Sequence, residues 1–301
     1  MIVLYLAFGH NQHIHQQVTF SALTMLSWKN PDIKIVIFTD VPEYYELLHG
    51  LVELRVPGAA RLAEWKGAYD YFFRVKFKAL QDLLESHPGQ HLLYLDGDTF
   101  TFGDPTRLID AMQNGANLMH AREGKLSSLP TKTERRMWKM CAGRAFGGIQ
   151  VTQDSTMYNA GVIGLHQEGA ASVIERGLLA CDEMLTYGVP ERLVEQLSFS
   201  LALSEHTSIR AANHSIGHYW GNKEEWNEVI SDFLLRHLLQ SSSRESLLKS
   251  VRKIDFQAVP VYRKQSNTHR KLTRWVDKNF FNERHTFVST AVGPDSDLSD
   301  R

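Results

Sequence analysis

The sequence predicts a mixed α/β domain, a mainly parallel sheet flanked by helices, with a helical C-terminal extension. Three observations predict it. Short apolar runs alternate with helical patterns over the first hundred residues, the pattern of strand–helix–strand units. The run at residues 2–8 is apolar throughout, as a strand covered on both faces requires, and 91–95, His-Leu-Leu-Tyr-Leu, reads as another buried strand. The 301 residues are 43% hydrophobic and 22% charged, which supplies a sizeable core.

Each element follows in order. Residues 2–8 form the first buried strand, broken by Gly9. Apolar residues at three- and four-residue spacing predict a helix over 18–28, stopped by Asn30-Pro31. The β-branched run 33–38, closed by Thr39-Asp40-Val41-Pro42, is a second strand, and 51–56 a weaker third. A helical pattern covers 69–84 and stops at Pro88-Gly89. Strand 91–95 then runs into Asp96-Gly97-Asp98. Residues 122–150 are polar and basic, with Arg135, Arg136, Lys139 and Arg144 in one segment suited to closing over a diphosphate or to a solvated surface. Residues 158–165 make a further apolar stretch, Pro190 opens a helix to about 203, and 224–240 follows helical spacing from Trp226 to Leu238. Asn222 and Glu225 have the spacing of a capping pair for that helix. The expected division is a domain over 1–225, a basic helical extension over 226–290, and a disordered tail over 291–301.

Composition excludes several classes. Thirty-three Lys and Arg against 34 Asp and Glu give a net charge of −1, unlike a dedicated nucleic-acid binder. Cys141 and Cys181 are too few for a disulfide scaffold or a four-thiolate zinc site. No apolar run reaches membrane-spanning length, and the opening residues lack a signal peptide's basic region and cleavage site. The expected location is the cytoplasm. Residues 251–290 carry nine Lys or Arg against three Asp or Glu, with Trp275, Phe280 and Phe281, a composition suited to peripheral contact with anionic lipid.

In parallel sheets ligands bind beyond the carboxyl ends of the strands, and Asp96-Gly97-Asp98 sits at one such end. Two carboxylates one residue apart can hold a hard divalent cation that shares its shell with phosphates. The spacing alone is cheap, since Asp295-Ser296-Asp297 repeats it in the tail. The apolar strand before Asp96 separates the two; a solvated strand-end turn is the plain alternative. A phosphatase with an aspartyl-phosphate intermediate would place Thr or Val four residues after the first Asp, where Phe100 stands.

A longer match carries more. Tyr94-Leu95-Asp96-Gly97-Asp98-Thr99-Phe100-Thr101-Phe102-Gly103-Asp104-Pro105 resembles the metal-site segment of glycosyltransferases of the glycosyltransferase-A fold, family 8 in particular. Met157 to Leu165 is similar to that family's Asn-x-Gly-Val segment, Glu195-Gln196 to its Asp-Gln pair, and His218-Tyr219-Trp220-Gly221-Asn222-Lys223 to its His-x-x-Gly segment. The four recur in order over three-quarters of the chain.

The resemblance implies a metal-dependent transferase moving a sugar from a nucleotide-diphosphate donor, UDP-linked, to a hydroxyl acceptor with retention. Asp96, Asp98 and His218 would ligate Mn2+ (or Mg2+), with Asp96 shared with the donor ribose. Lys223 and Gly221 would face the diphosphate, Asn159 and Gly161 the sugar, and Glu195 and Gln196 the anomeric carbon, where Gln196 can stabilise developing positive charge. Arg74, four residues before Lys78 on an aromatic-rich helix, is read as facing the nucleotide or as a solvated cation. The family has Asp where Glu195 stands, and its Lys and Pro fall where Glu224 and Glu225 stand here, although Trp226 is in place. His214 also heads a His-x-x-Gly string. An inverting enzyme would need a base, for which Asp154 and Glu195 are candidates. The alternatives are a non-catalytic nucleotide-sugar-binding or scaffold protein, and a nucleotidyltransferase or phosphatase.

Overall fold

The computed structural model describes residues 1–205 and 208–263. Most of the basic segment, including Trp275, Phe280 and Phe281, and the tail from residue 291 lie outside the described residues. The strands are β1 (Ile2–Ala7), β2 (Lys34–Thr39), β3 (Glu53–Arg55), β4 (Leu92–Leu95), β5 (Thr99–Thr101), β6 (Asn117–Met119), β7 (Arg122–Lys125), β8 (Ala145–Phe146), β9 (Ile149–Gln150), β10 (Thr156–Tyr158), β11 (Val162–Leu165), β12 (Ile209–Ala211) and β13 (Ile216–His218). The helices are α1 (Gln12–Leu26), α2 (Ala59–Lys66), α3 (Arg74–Ser86), α4 (Thr106–Gln113), α5 (Lys132–Cys141), α6 (Ala170–Thr186), α7 (Val194–Ser204), α8 (Lys223–Leu239) and α9 (Arg244–Val251).

Seven strands form the central sheet in the order β12-β6-β11-β4-β1-β2-β3. β3, β2, β1 and β4 run parallel, β11 lies antiparallel between β4 and β6, and β12 is parallel to β6. Alternation along each strand feeds two cores. Ile2, Leu4, Leu92 and Tyr94 point to one face, packed by α3, α6 and α7; Val3, Tyr5, Leu93 and Leu95 point to the other, with α1, α4, α8 and α9. On the first face Phe77 stacks on Phe199 at 3.9 Å. Gly177 leaves room for that ring, since a Cβ there would meet it at 2.8 Å.

Several boundaries differ from the sequence reading. Helix α1 begins at Gln12, six residues early, because the Asn11 side chain accepts from His13 N and starts a first turn whose residues are mostly polar. Helix α3 begins at Arg74, after a turn that holds Tyr69 to Phe73. Pro190 does not open α7; a 3-10 turn, Glu191–Leu193, comes first. The basic segment 132–141 is helix α5, opened by a Thr131–Glu134 capping box, with Met137 and Cys141 as its buried face. Asn222 does not cap α8 through its side chain: its amide nitrogen donates to Glu225 Oε2 and to Pro260 O, both at 2.8 Å. Residue 225 falls in the first turn of α8, whose Trp226 is fully buried against Phe100, Tyr219 and Phe256; α8 thus lies within the compact unit Met1–Tyr262.

Candidate active site

Strand pairing brings three of the four motif segments together, and the fourth, Glu195-Gln196, comes in on α7. β4 ends at Leu95, and Asp96 N donates to Gly161 O at 2.9 Å, extending the β4–β11 ladder. This sets Asn159 and Gly161 beside the acidic pair. β5 begins at Thr99, opposite His218 on β13, and Tyr219 N donates to Asp98 O at 3.0 Å. The short β5–β13 ribbon therefore carries His218 to Asp98 across 120 residues of sequence. Gly97 lets this turn approach α1, since a Cβ there would meet Val18 Cγ2 at 2.9 Å.

One ligand atom from each of Asp96, Asp98 and His218 lies within 4.8 Å of the others. His218 Nε2 is 3.4 Å from Asp98 Oδ2 and 3.9 Å from Asp96 Oδ2. His218 Nδ1 donates to Asn159 Oδ1 at 3.0 Å, and Gly161 N donates to the same oxygen at 3.1 Å. The amide oxygen can only accept, so it fixes Nδ1 as the protonated nitrogen and turns Nε2 to the carboxylates. Gly161 serves this ring: a Cβ there would overlap the His218 imidazole.

Asp98 is buried, and its Oδ2 stands 2.9 Å from the Lys223 ammonium without hydrogen-bond alignment to any partner. Burial alone would raise this carboxyl's pKa; His218 and Lys223 more than offset it and hold Asp98 well below the ordinary carboxylate range. An anionic, buried oxygen lacking a hydrogen bond, with a second carboxylate and an imidazole lone pair facing it, fits a divalent cation. His120, edge-on to His218 at 5.1 Å, has its pKa pushed down to about 4 by burial and by its histidine neighbour, which keeps a second cation out of the cluster. His214 lies on an exposed turn and is not part of the Asp96, Asp98 and His218 cluster.

Lys76 is the residue the motif reading missed. It is 4% exposed and bridges Asp96 Oδ1 at 3.0 Å and Glu195 Oε1 at 2.9 Å, below the Tyr94 ring. Burial lowers a lysine pKa, but the two carboxylates overcome it and hold Lys76 above the usual lysine range. Burial likewise pushes the Glu195 carboxyl up, although Lys76 opposes it. The signal was present in the sequence: Lys76 shares its helix face with Leu80 and Leu83, both buried, so a cation there needs a buried partner. Tyr94 OH donates to Asp96 Oδ1 at 2.6 Å and completes the set.

Gln196, in the first turn of α7, donates from Nε2 to Glu123 Oε2 at 2.8 Å. Glu123, Asn159, Arg192, Gln196 and Trp220 line a cleft of about 280 Å³ next to the carboxylate cluster. Other candidates lie elsewhere. Arg74 is tied to Asp182 through Nε at 2.7 Å and to the carbonyl of Trp65 through Nη1 at 2.9 Å, so α6 and the end of α2 hold its guanidinium in place of a nucleotide. Asp154 pairs with Lys125 at the surface, at 2.7 Å. Gly221 lies under the Tyr262 ring, where a Cβ would overlap it, and so makes room for that ring. Lys223 is half exposed beside Asp98. Among the described residues, no helix is long and apolar enough to cross a membrane.

The chain has a mixed α/β fold, a mostly parallel central sheet flanked by helices, that matches glycosyltransferase-A structures. No protein-family model matches the sequence, and no curated protein sequence matches it. Solved structures do. The chain superposes on the galactosyltransferase LgtC, solved in complex with donor and acceptor sugar analogs, with a TM-score of 0.50 at 12% identity, over 85% of this chain and 98% of that one. It also matches mouse xyloside xylosyltransferase 1 in its apo form, with a TM-score of 0.46 at 14% identity, over 70% of this chain and 85% of that one. Both neighbours are glycosyltransferases of family 8.

Proposed function

We propose that this protein is a metal-dependent glycosyltransferase, moving a sugar from a UDP-linked donor to a hydroxyl acceptor with retention of configuration. The observation that carries the reading is the convergence of Asp96, Asp98 and His218 at the end of β4 in this fold. The galactosyltransferase with the same fold takes donor and acceptor sugar analogs, which supports the same ligand classes here.

Asp96, Asp98 and His218 would hold Mn2+ or Mg2+. When bound, the cation supplies positive charge that stabilises the diphosphate as the glycosidic bond breaks. Lys223, the first residue of α8, has its ammonium 2.9 Å from Asp98 and is exposed enough to swing it from that carboxylate to a phosphate oxygen. Lys76 fixes Asp96 and Glu195 in one arrangement, and Asn159 fixes the His218 tautomer. Gln196 lines the cleft where the sugar would lie, beside Trp220. Neither Glu195, held on the buried Lys76, nor Asp154, paired with Lys125 at the surface, lines that cleft. That favours same-face substitution, in which the acceptor hydroxyl attacks as the phosphate leaves and its proton passes to the departing oxygen.

A thermal-shift panel of nucleoside diphosphates and their sugars, with and without manganese, tests this, because ligands that bind the folded state raise its melting temperature. UDP and a UDP-sugar should raise it in the presence of manganese, and slow release of free sugar should follow. Binding with no turnover across a broad acceptor screen would identify a non-catalytic nucleotide-sugar binder. Release of phosphate from a phosphomonoester would identify a phosphatase.

A further inference from the structure

We infer that Glu123, on the exposed strand β7, is a positioning residue that sets which end of the Gln196 amide faces the cleft. A glutamine side chain has two nearly isosteric ends, one accepting and one donating hydrogen bonds, and only its partners decide between them. An ionised carboxylate is acceptor-only. Glu123 Oε2 takes the Gln196 Nε2 donor at 2.8 Å, and both side chains line the cleft, so Gln196 Oε1, for which no hydrogen bond is seen among the described residues, is the amide end left available to a ligand there.

The other Glu123 oxygen faces Asn159 Nδ2 at 3.4 Å, a weak contact. Asn159 does not depend on it, because Gly161 N and His218 Nδ1 already claim Asn159 Oδ1 at 3.1 and 3.0 Å. Glu123 therefore bears chiefly on Gln196. The consequence rests on the transferase function proposed above. A carbonyl oxygen turned to the anomeric carbon stabilises developing positive charge, whereas an NH2 group turned there destabilises it. The motif segments do not include Glu123, and β7 pairs with β10, outside the main sheet.

Three variants test the assignment. Glu123→Ala frees the amide, Glu123→Lys offers only donors and so turns Gln196 Oε1 away from the cleft, and Glu123→Lys with Gln196→Glu restores an oxygen on the cleft side. In a 1H–15N spectrum the Gln196 side-chain NH2 pair, identified by its loss in Gln196→Glu, should shift and exchange faster in Glu123→Ala. Turnover of a UDP-sugar should fall at least about tenfold in kcat in Glu123→Lys, because a preorganised dipole beside developing charge is reversed. KM and manganese affinity should stay within about threefold, as only the dipole near the reacting carbon has changed. The double variant should recover most of the lost kcat. An NH2 pair that Glu123→Ala does not move, or a double variant no faster than Glu123→Lys, overturns the assignment. If the wild-type protein shows no turnover, the transferase function fails, and the NH2 pair alone decides whether Glu123 holds Gln196.

Discussion

Lys76→Met removes the buried ammonium while keeping much of its side-chain volume, and strands two carboxylates. In the native protein Lys76 Nζ is 3.0 Å from Asp96 and 2.9 Å from Glu195. At an effective dielectric of about 20, each contact is worth roughly 5 kcal/mol of gross attraction, most of it offset by desolvation. Removing one partner of a buried pair leaves that desolvation uncompensated and costs about 3–5 kcal/mol. At about 2–4 °C per kcal/mol for a unit of this size, the melting temperature should fall by about 6–20 °C. The deficit should depend on pH. Glu195 already has its folded-state pKa raised by burial, and without Lys76 it rises further. A carboxyl raised on folding weakens the fold above its unfolded pKa and recovers as pH falls, so the deficit should shrink from pH 8 to pH 5. Wild-type Lys76 adds no slope there, because its contribution is lost only above the ordinary lysine range. Calorimetric melts of both proteins at the two pH values measure this. A loss under 2 °C, or one equal at both, would refute the account of Lys76 as the bridge between Asp96 and Glu195.

The remaining predictions concern the histidine and the exposed lysine. Gly161→Ala puts a methyl group into the His218 ring position and should weaken manganese binding at least about tenfold in calorimetric titration, at a stability cost of about 1–3 kcal/mol for overpacking. Unchanged affinity would mean that His218 is not a ligand. Lys223→Ala should leave the melting temperature of the free protein within about 2 °C, because the side chain is half exposed, yet weaken UDP binding several-fold, the gap narrowing at high salt. Equal UDP affinity in the two proteins would remove Lys223 from the donor site.

The fold and the acidic pair were legible in the sequence because they rest on local signals. Apolar runs of strand length declared the sheet, and the run ending in Leu95 placed Asp96 and Asp98 at its carboxyl end. The ordered segments added His218 and Asn159, which β13 and β11 then bring to that end by pairing with β5 and β4. What stayed hidden depends on packing. Arg74 and Lys76 are two residues apart on one helix, and only the way α3 lies on the sheet decides which enters the site: Lys76 faces Asp96, and Arg74 faces Asp182 on α6. Glu123 stands on a strand too short and polar to show periodicity. The start of α1 was missed because its first turn is mostly polar and is announced only by the Asn11 cap.

The central claim is that Asp98 is a direct ligand of a divalent cation that works with the nucleotide. Asp98→Asn removes one anionic oxygen and changes little else in shape. The most direct measurement is manganese binding by electron paramagnetic resonance, with and without UDP, on the wild-type protein and this variant. The account predicts that the wild-type protein binds manganese, more tightly with UDP, and that Asp98→Asn loses at least about tenfold in affinity while remaining folded, since a hard cation binds an amide far less well than a carboxylate. Equal manganese binding by the two proteins would contradict it and leave Asp96-Gly97-Asp98 a strand-end turn.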